Sequence, residues 1–436
     1  MTKAMTQPGL TTPVHQPLRR VVVASVVGTV VEYYDFAVYG YMATVLASLF
    51  FNAEDPTAAL LGTLAAFAVS FALRIPGGIL FGHIGDKYGR KVSLFWTILL
   101  MCAATAGMGL LPTYFAIGIW ATVLLVTMRF LQGIAAGGEL GGATAFVAES
   151  APAAKRAAFT SLVNVGISVG SLFASLAALS INSVFTPEQV NDFAWRLPFL
   201  FSLPLALVGL WIRSRLHDTP QFEKLRESHE VEAVPIVTLV KQHKGSLGRI
   251  AALSALFTGG HYVVYTYGPI HLQRSGGHDA SFAFLATSIS LVICAFVIPL
   301  AGALSDRVGR RPVFLLAGAL GVVAAVPAFM LMGSGSQVLA VLGQILLGLP
   351  VSLSIGPAFA SFAENLPAKV RYSGISLGMN VAQLVVGGTA PLIATWLVAT
   401  TGAPLSPAAL YGFCALCVLV GGLKVKETAR QELPVT

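Results

Sequence analysis

The chain has 436 residues, of which 56% are hydrophobic and only 11% charged, and its mean hydropathy is +0.78. Soluble globular domains carry roughly a quarter charged residues, so this composition excludes that class and points to a chain that lives in lipid. The formal net charge of +8 would suit a nucleic-acid binder, but the basic residues fall between apolar runs instead of forming one patch, and no nucleic-acid partner is expected.

Residues 1–20 form a polar, Thr/Pro/Gln-rich tail, and the apolar run that follows is too long for the core of a signal peptide. Spanning a bilayer takes about 20 mainly apolar residues. Twelve such runs are predicted, at 21–51, 58–83, 92–112, 115–142, 157–184, 195–214, 249–273, 281–304, 312–332, 337–363, 371–400 and 405–423. Cys102, Cys294, Cys414 and Cys417 all lie in apolar stretches without paired spacing, and are expected to pack as small residues with neither disulfide nor metal.

The first run contains Gly28-Thr-Val-Val-Glu-Tyr-Tyr-Asp-Phe-Ala-Val-Tyr-Gly40, which puts two carboxylates at membrane depth. On a helix Gly28, Glu32, Asp35 and Tyr39 form one polar stripe. Such a stripe cannot face lipid, and an acid there is a candidate functional residue or a brace for a neighbouring helix. The second run holds Arg74 just before Pro76, Gly77 and Gly78, where a broken helix would aim the guanidinium at a substrate carboxylate; the competing reading is an arginine snorkelling to the surface. In the fourth run Arg129, Gly133, Gly137 and Gly141 share a face, and small residues at this spacing let another helix approach closely. A buried guanidinium needs an anion, and Asp35 or Glu32 lies at comparable depth. Glu139 sits nearer the helix end and serves either a neighbouring helix or the path.

In the second half, Gly259-Gly260-His261-Tyr262-x-x-Tyr265-x-Tyr267 opens the seventh run with polar aromatics suited to a polar solute. Tyr267 and His271 are expected in the interfacial aromatic belt instead. Asn380 and Gln383, three apart in the eleventh run, are further cavity candidates or interhelical contacts.

With the N-terminus inside, all Lys and Arg except Arg74, Arg129, Arg196 and Arg274 fall on the inner side, so both termini are expected in the cytoplasm. The expected divisions are a cytoplasmic tail (1–20), a six-helix bundle (21–214), a cytoplasmic linker (215–248), a second six-helix bundle (249–423) and a short cytoplasmic tail (424–436). The chain also repeats itself. Gly82-His-Ile-Gly-Asp86-Lys-Tyr-Gly89-Arg90-Lys91 returns as Gly302-Ala-Leu-Ser-Asp306-Arg-Val-Gly309-Arg310-Arg311, and Glu149 with Arg156 returns as Glu364 with Arg371. Two parallel six-helix halves follow. Asp86, Arg90, Glu149, Asp306, Arg310 and Glu364 are expected to gate, through pairs made in one access state and broken in the other.

These doubled loops resemble the signature of the major facilitator superfamily. The runs Gly28 to Phe36, Leu73-Arg74-x-Pro76-x-Gly78, Arg129-x-x-Gln132-Gly133 with Gly137-Gly138-Glu139, and Thr219-Pro220-x-Phe222 are similar to the metabolite:proton symporter family within it, although Thr29 and Tyr33 stand where many of its members have Asn and Trp. The resemblance implies an all-helical, twelve-span transporter of the inner or plasma membrane. Its family moves dicarboxylates, tricarboxylates, shikimate-like acids, or proline and betaine. Sugar porters likewise place an Asp in the first helix and an Arg in the fourth, matching Asp35 and Arg129.

The expected function is import of a small organic acid with protons by alternating access. Asp35, Glu32 and Arg129 would couple the proton. Arg74, Arg129, Gln132, Tyr39, His261, Tyr262, Tyr265, Asn380 and Gln383 would bind substrate. Two in-membrane arginines facing three acids motivate the anionic choice. Import of a zwitterionic osmolyte is the alternative, set second because the tail after Glu427 is too short for the regulatory coiled coil of osmosensing relatives; a non-transporting sensor on the same fold is the third. No cofactor, nucleotide loop or catalytic set is expected, and a monomer suffices.

Overall fold

Inside a bilayer no water satisfies backbone N–H and C=O groups, so a spanning chain must close its hydrogen bonds within helices or a barrel. The computed structural model describes residues 18–434 apart from 53, 89, 138–143, 145–146 and 215–235; those described are mainly helical and form no strand. Residues 1–17 of the expected tail, Glu139, Gly141 and most of the linker lie outside the described residues, as do the side chains of Asp86 and Arg90.

Among the described residues the helices group into twelve rods. The first is Leu18–Tyr41 continued by Ala43–Phe50, the second Pro56–Ala72 with Arg74–Tyr88, the third Arg90–Leu110, the fourth Ile119–Ala136, the fifth Arg156–Val184 and the sixth Arg196–Leu200 with Ser202–Ser214. The seventh runs from Ile236–Ala255 through two π-helical turns to Gly268–Arg274. Then come Ala280–Val308, Arg310–Met332, Gln337–Glu364, an eleventh rod from Ala368–Ala382 to Ala390–Thr401, and Pro407–Leu423. Among the described residues eight helices are long and apolar enough to cross a membrane alone, or nine if Pro187–Ala194 and Arg196–Trp211, bent by 41°, count as one span. The third and twelfth rods contain shorter apolar helices, and the seventh is divided by its π turns. The seventh helix begins at Ile236, inside the stretch expected to be linker.

Rods one to six pack mostly on one another, as do seven to twelve; the largest joint between the groups is the fifth against the eighth, with the second meeting the eleventh. Glycine makes the closest approaches. Gly133 and Gly137 on the fourth rod lie against the backbone of Ser70, Arg74 and Gly77 on the second. The small-residue face of the fourth rod is thus spent on the second rod, which decides where Arg129 points.

Both described chain ends lie at one end of the molecule, where the basic residues gather. Here Glu427 accepts from the backbone N–H of Arg310 at 2.9 Å and of Arg311 at 3.2 Å, the unsatisfied donors of a helix start. Partial burial raises the Glu427 carboxyl, but the N–H groups of Arg310, Ala429 and Arg311 outweigh this and hold it below the usual glutamate range. The contact therefore persists above that range and is lost only as pH falls through the lowered value.

A Cβ at Gly133 would strike the Ser70 carbonyl, which cannot rotate away, whereas nothing lies within 4 Å of one at Gly245. Overpacking typically costs about 1–3 kcal/mol. Gly133→Ala is expected to lower the melting temperature of the detergent-purified protein by several degrees, with Gly245→Ala within about a degree of the parent; equal midpoints would refute the close seam.

Candidate functional site

The second rod breaks between Ala72 and Arg74, and Pro76 lies in the first turn of the resumed helix. The break sends Arg74 inward. Its Nη2 lies 3.4 Å from Glu32 Oε1, and its Nη1 donates at 2.7 Å to Gln383 Oε1 on the eleventh rod. The guanidinium carbon sits 4.2 Å from the centre of the Phe36 ring and 4.8 Å from that of Phe71. Glu32, Arg74 and Gln383 are all at most 2% exposed, so the pair joins both groups of helices in a dry setting.

Arg129 takes different partners from those expected. Its Nη1 donates to Gln132 Oε1, and its Nη2 to Ser70 Oγ at 2.7 Å and the Phe67 carbonyl at 3.4 Å. Its guanidinium carbon lies 4.2 Å from the centre of the Tyr39 ring, whose hydroxyl donates to Thr63 O at 3.0 Å. The expected Arg129–Asp35 pair is absent from this state. The reason is the packing of Gly133 and Gly137: the face they share with Arg129 turns to the second rod. Asp35 is buried among the first, third and fourth rods, and neither carboxyl oxygen makes a hydrogen bond. Gln132 Nε2 instead donates to the Asp35 main-chain oxygen at 3.0 Å and to Thr105 Oγ1 at 2.9 Å. The single stripe read along the first helix is therefore divided, with Glu32 facing the second rod and Asp35 facing Thr105 on the third.

The aromatic residues of the seventh rod close over the Arg74–Glu32 pair. The Tyr262 ring lies 5.5 Å from Phe67 and 5.4 Å from Phe71, and its buried hydroxyl has no hydrogen-bond partner. His261 is edge-on to Tyr33 at 6.2 Å and to Tyr262 at 5.4 Å. Tyr265 is drawn away, its hydroxyl donating to Cys294 Sγ at 2.9 Å. Asn380 Nδ2 donates to Ser376 Oγ at 3.4 Å, and Asn380, Gln383 and Arg74 line a cavity of about 10 Å³, room for about one water. Turns of π-helix at Leu256–Gly260, Val263–Tyr267 and Gln383–Gly387 flank these side chains, and such turns often mark functional sites. Tyr267 and His271, expected in an interfacial belt, are buried, His271 packing edge-on to Phe329 at 5.0 Å. Phe36, Phe71, Thr105 and Ser70 were not expected. Phe36 and Phe71 stand four residues after Glu32 and three before Arg74, a helical spacing that could have found them; Thr105 carries no comparable signal.

At the basic end the expected gating residues come together where their side chains are described. Glu364 receives Arg156 Nη1 at 2.9 Å, Arg310 Nη2 at 2.9 Å and the Thr428 hydroxyl at 2.7 Å. Arg371 pairs with Glu149 at 2.7 Å. Asp306 accepts from Arg310 at 2.7 Å and from the N–H groups of Ala157 and Ala158 at 3.1 and 2.9 Å. Arg156 and Arg371 also donate to the carbonyls of Gln431 and Pro434, strapping the last described residues over the closed end.

The family model described as Major Facilitator Superfamily matches residues 26–385 and 250–434. The chain is 33% identical over 429 residues to a proline/betaine transporter of Salmonella typhimurium, covering 95% of this chain and 85% of that one. It is 36% identical over 408 residues to a putative proline/betaine transporter of Staphylococcus aureus, covering 92% and 86%. Among solved structures, the proton:xylose symporter XylE bound to 6-bromo-6-deoxy-D-glucose superposes with a TM-score of 0.76 at 20% identity over 95% of this chain and 97% of that one. A partially occluded inward-open form of XylE from E. coli gives 0.72 at 22% identity, over 94% and 98%.

Removing one partner from a buried ion pair typically costs about 3–5 kcal/mol. Glu364→Gln is expected to open the basic end. In a variant with its four cysteines changed to serine and a cysteine placed at Ser376, labelling by a soluble thiol reagent should quicken at least tenfold; an unchanged rate would mean that Glu364 does not hold this end shut.

Proposed function

Because the chain belongs to the major facilitator superfamily, and so is a membrane protein of a transporter fold, we propose that it imports a small zwitterionic solute of the proline or betaine kind together with protons. The observation that carries this reading is the Arg74–Glu32 pair: a cation and an anion in contact, buried, with Phe36 and Phe71 against the guanidinium and Tyr262 packed on Phe71. A zwitterion offers each of them a replacement. Its carboxylate takes the guanidinium, whose fork suits bidentate contact, and its ammonium takes Glu32 and the aromatic faces, worth about 0.5–2 kcal/mol as cation–π contacts. The names of the relatives support the same class.

The organic acid expected from two buried arginines fits less well, because Arg74 is already paired with the buried acid Glu32. An anion replacing Glu32 at Arg74 would leave that carboxylate without its cation. For the proton we propose Asp35. The positive-inside pattern makes the closed basic end cytoplasmic on this reading.

In proteoliposomes with an inward proton gradient, labelled glycine betaine or proline is expected to accumulate and succinate is not; gradient-driven succinate uptake without betaine uptake would restore the carboxylate reading. Arg74→Lys and Glu32→Gln should each weaken betaine half-saturation at least tenfold, about 1.4 kcal/mol, while parent-like values in both would remove the pair from the binding site.

A further inference from the structure

Building on the Arg74–Glu32 pair as the proposed substrate site, we infer that Gln383 is a positioning residue that stands in for the substrate carboxylate on Arg74 while the site is empty. Its displacement by substrate then frees the part of the eleventh rod that covers the site on the side of the basic end. The first step is a count of donors. A guanidinium has donors only, held in a planar fork. On Arg74, Nη1 is taken by Gln383 Oε1 at 2.7 Å and Nη2 faces Glu32 at 3.4 Å, while Nε is buried without a hydrogen-bond partner. A carboxylate bound through both oxygens uses two N–H groups side by side, so it must evict a partner already in place. The amide is the weaker holder, because it is neutral and an ionised acceptor makes a bond roughly twice as strong.

The second step is where Gln383 sits. It directly follows Ala368–Ala382, the part of the eleventh rod that runs in from the basic end. One end of that segment is tied to the first six rods by Arg371, which pairs with Glu149 at 2.7 Å. Gln383 is the tie at the other end, about three helical turns away. Between the two ties Ser376, Met379 and Asn380 face Arg74 and the fourth-rod residues Ala136 and Gly137 across a cavity of about 10 Å³. The segment therefore lies between the buried pair and the basic end, and a solute leaving towards that end needs it to move.

The backbone supplies the joint. Gln383 opens a π-helical turn that runs to Gly387, and the Gly388 N–H donates to the Gln383 carbonyl at 2.8 Å. Gly388 also holds the rest of the rod against the second rod, since a Cβ there would lie 2.2 Å from Phe71 Cδ2. Drawing the turn to α-helical pitch rotates the segment before it by about 100°, the angle of one residue, and carries the amide off Arg74. Substrate thus cuts one of the two ties on the segment and leaves the Arg371–Glu149 pair as the other. When the solute has left, the amide returns to Nη1, so the guanidinium makes its way back with that donor satisfied.

The test is equilibrium binding of glycine betaine to the purified protein, with net uptake and counterflow exchange measured in proteoliposomes. Gln383→Met keeps the length of the side chain and removes the acceptor; Gln383→Glu makes the stand-in a charged one. The first is expected to tighten the betaine Kd about tenfold, the scale of one hydrogen bond to a charged group. It should also lower the ratio of net uptake to exchange by a similar factor, because the empty carrier has lost the bond with which it returns. The second is expected to weaken the Kd at least about tenfold, since betaine must then evict a carboxylate. A residue that merely binds substrate or packs the helices would not give opposite shifts. If one variant fails to fold, the other carries the test alone. Weaker binding in Gln383→Met, or parent-like affinity in the folded variants, would overturn the stand-in. Parent-like betaine affinity in both Arg74→Lys and Glu32→Gln would remove the substrate site and this inference with it, whereas weakened binding in those two beside parent-like Gln383 variants overturns the stand-in alone.

Discussion

Buried charge is the constraint on which the rest of this molecule depends. An ionised side chain taken from water into a dry helical bundle costs several kcal/mol unless a partner and hydrogen bonds replace its hydration. The first six rods bury Glu32, Asp35, Arg74 and Arg129 at depth, each at most 2% exposed. For Glu32, Arg74 and Arg129 that is tolerable because neighbouring helices come close enough to supply partners. The glycines of the fourth rod provide the approach to the second, the break before Arg74 delivers a cation to the first, and Gln383 brings the eleventh rod to the same guanidinium.

The closed basic end shows how duplication solves a second problem. The internal repeat carries Glu149 and Arg156 into Glu364 and Arg371, and the two ion pairs observed are Arg156 with Glu364 and Arg371 with Glu149. Exchanging the halves turns one pair into the other. A two-fold arrangement of parallel repeats therefore produces both latches from one inherited motif. The symmetry stops at the centre. The same offset places Gln344 where the first half has Arg129, and its amide donates to the Val264 carbonyl at 3.1 Å and to Thr287 Oγ1 at 2.8 Å. The second half keeps an amide tie between helices and carries no matching guanidinium at that place.

Much of this was legible in the sequence for physical reasons. Lipid forces long apolar runs, so the rods and their order could be counted, and a repeated polar loop survives as a repeated string, so the latch residues could be named before their geometry was seen. Periodicity gives the depth and face of a residue on its own helix but not the rotation of that helix towards its neighbours. Arg129 was placed at the depth of Asp35 and proved to face Ser70, because the glycines on its own face belong to a seam with the second rod. Tyr267 and His271 looked interfacial by position and are enclosed because the ninth rod, through Phe329, covers His271, on which Tyr267 packs. Thr105 was invisible as one more small polar residue in an apolar run; only the hydrogen bonds of Gln132 give it a direction.

The same gap between counting charges and knowing their partners governs the substrate. Two arginines in the membrane suggest an anion for as long as Arg74 is taken to be free for a substrate carboxylate. Once Arg74 is paired with Glu32, the question becomes what can open that pair at least cost. A neutral solute offers neither charge a partner. An anion satisfies Arg74 and strands Glu32, a loss of about 3–5 kcal/mol if the carboxylate stays buried and ionised, unless Glu32 is protonated at the same moment. A zwitterion separates the pair and replaces both halves of it, so binding leaves the charge of the site unchanged. The coupling proton can then be held at Asp35, on the other side of the first helix, without being consumed in neutralising the site. On the proposed reading, recognition and coupling are kept apart because two acids three residues apart face different helices.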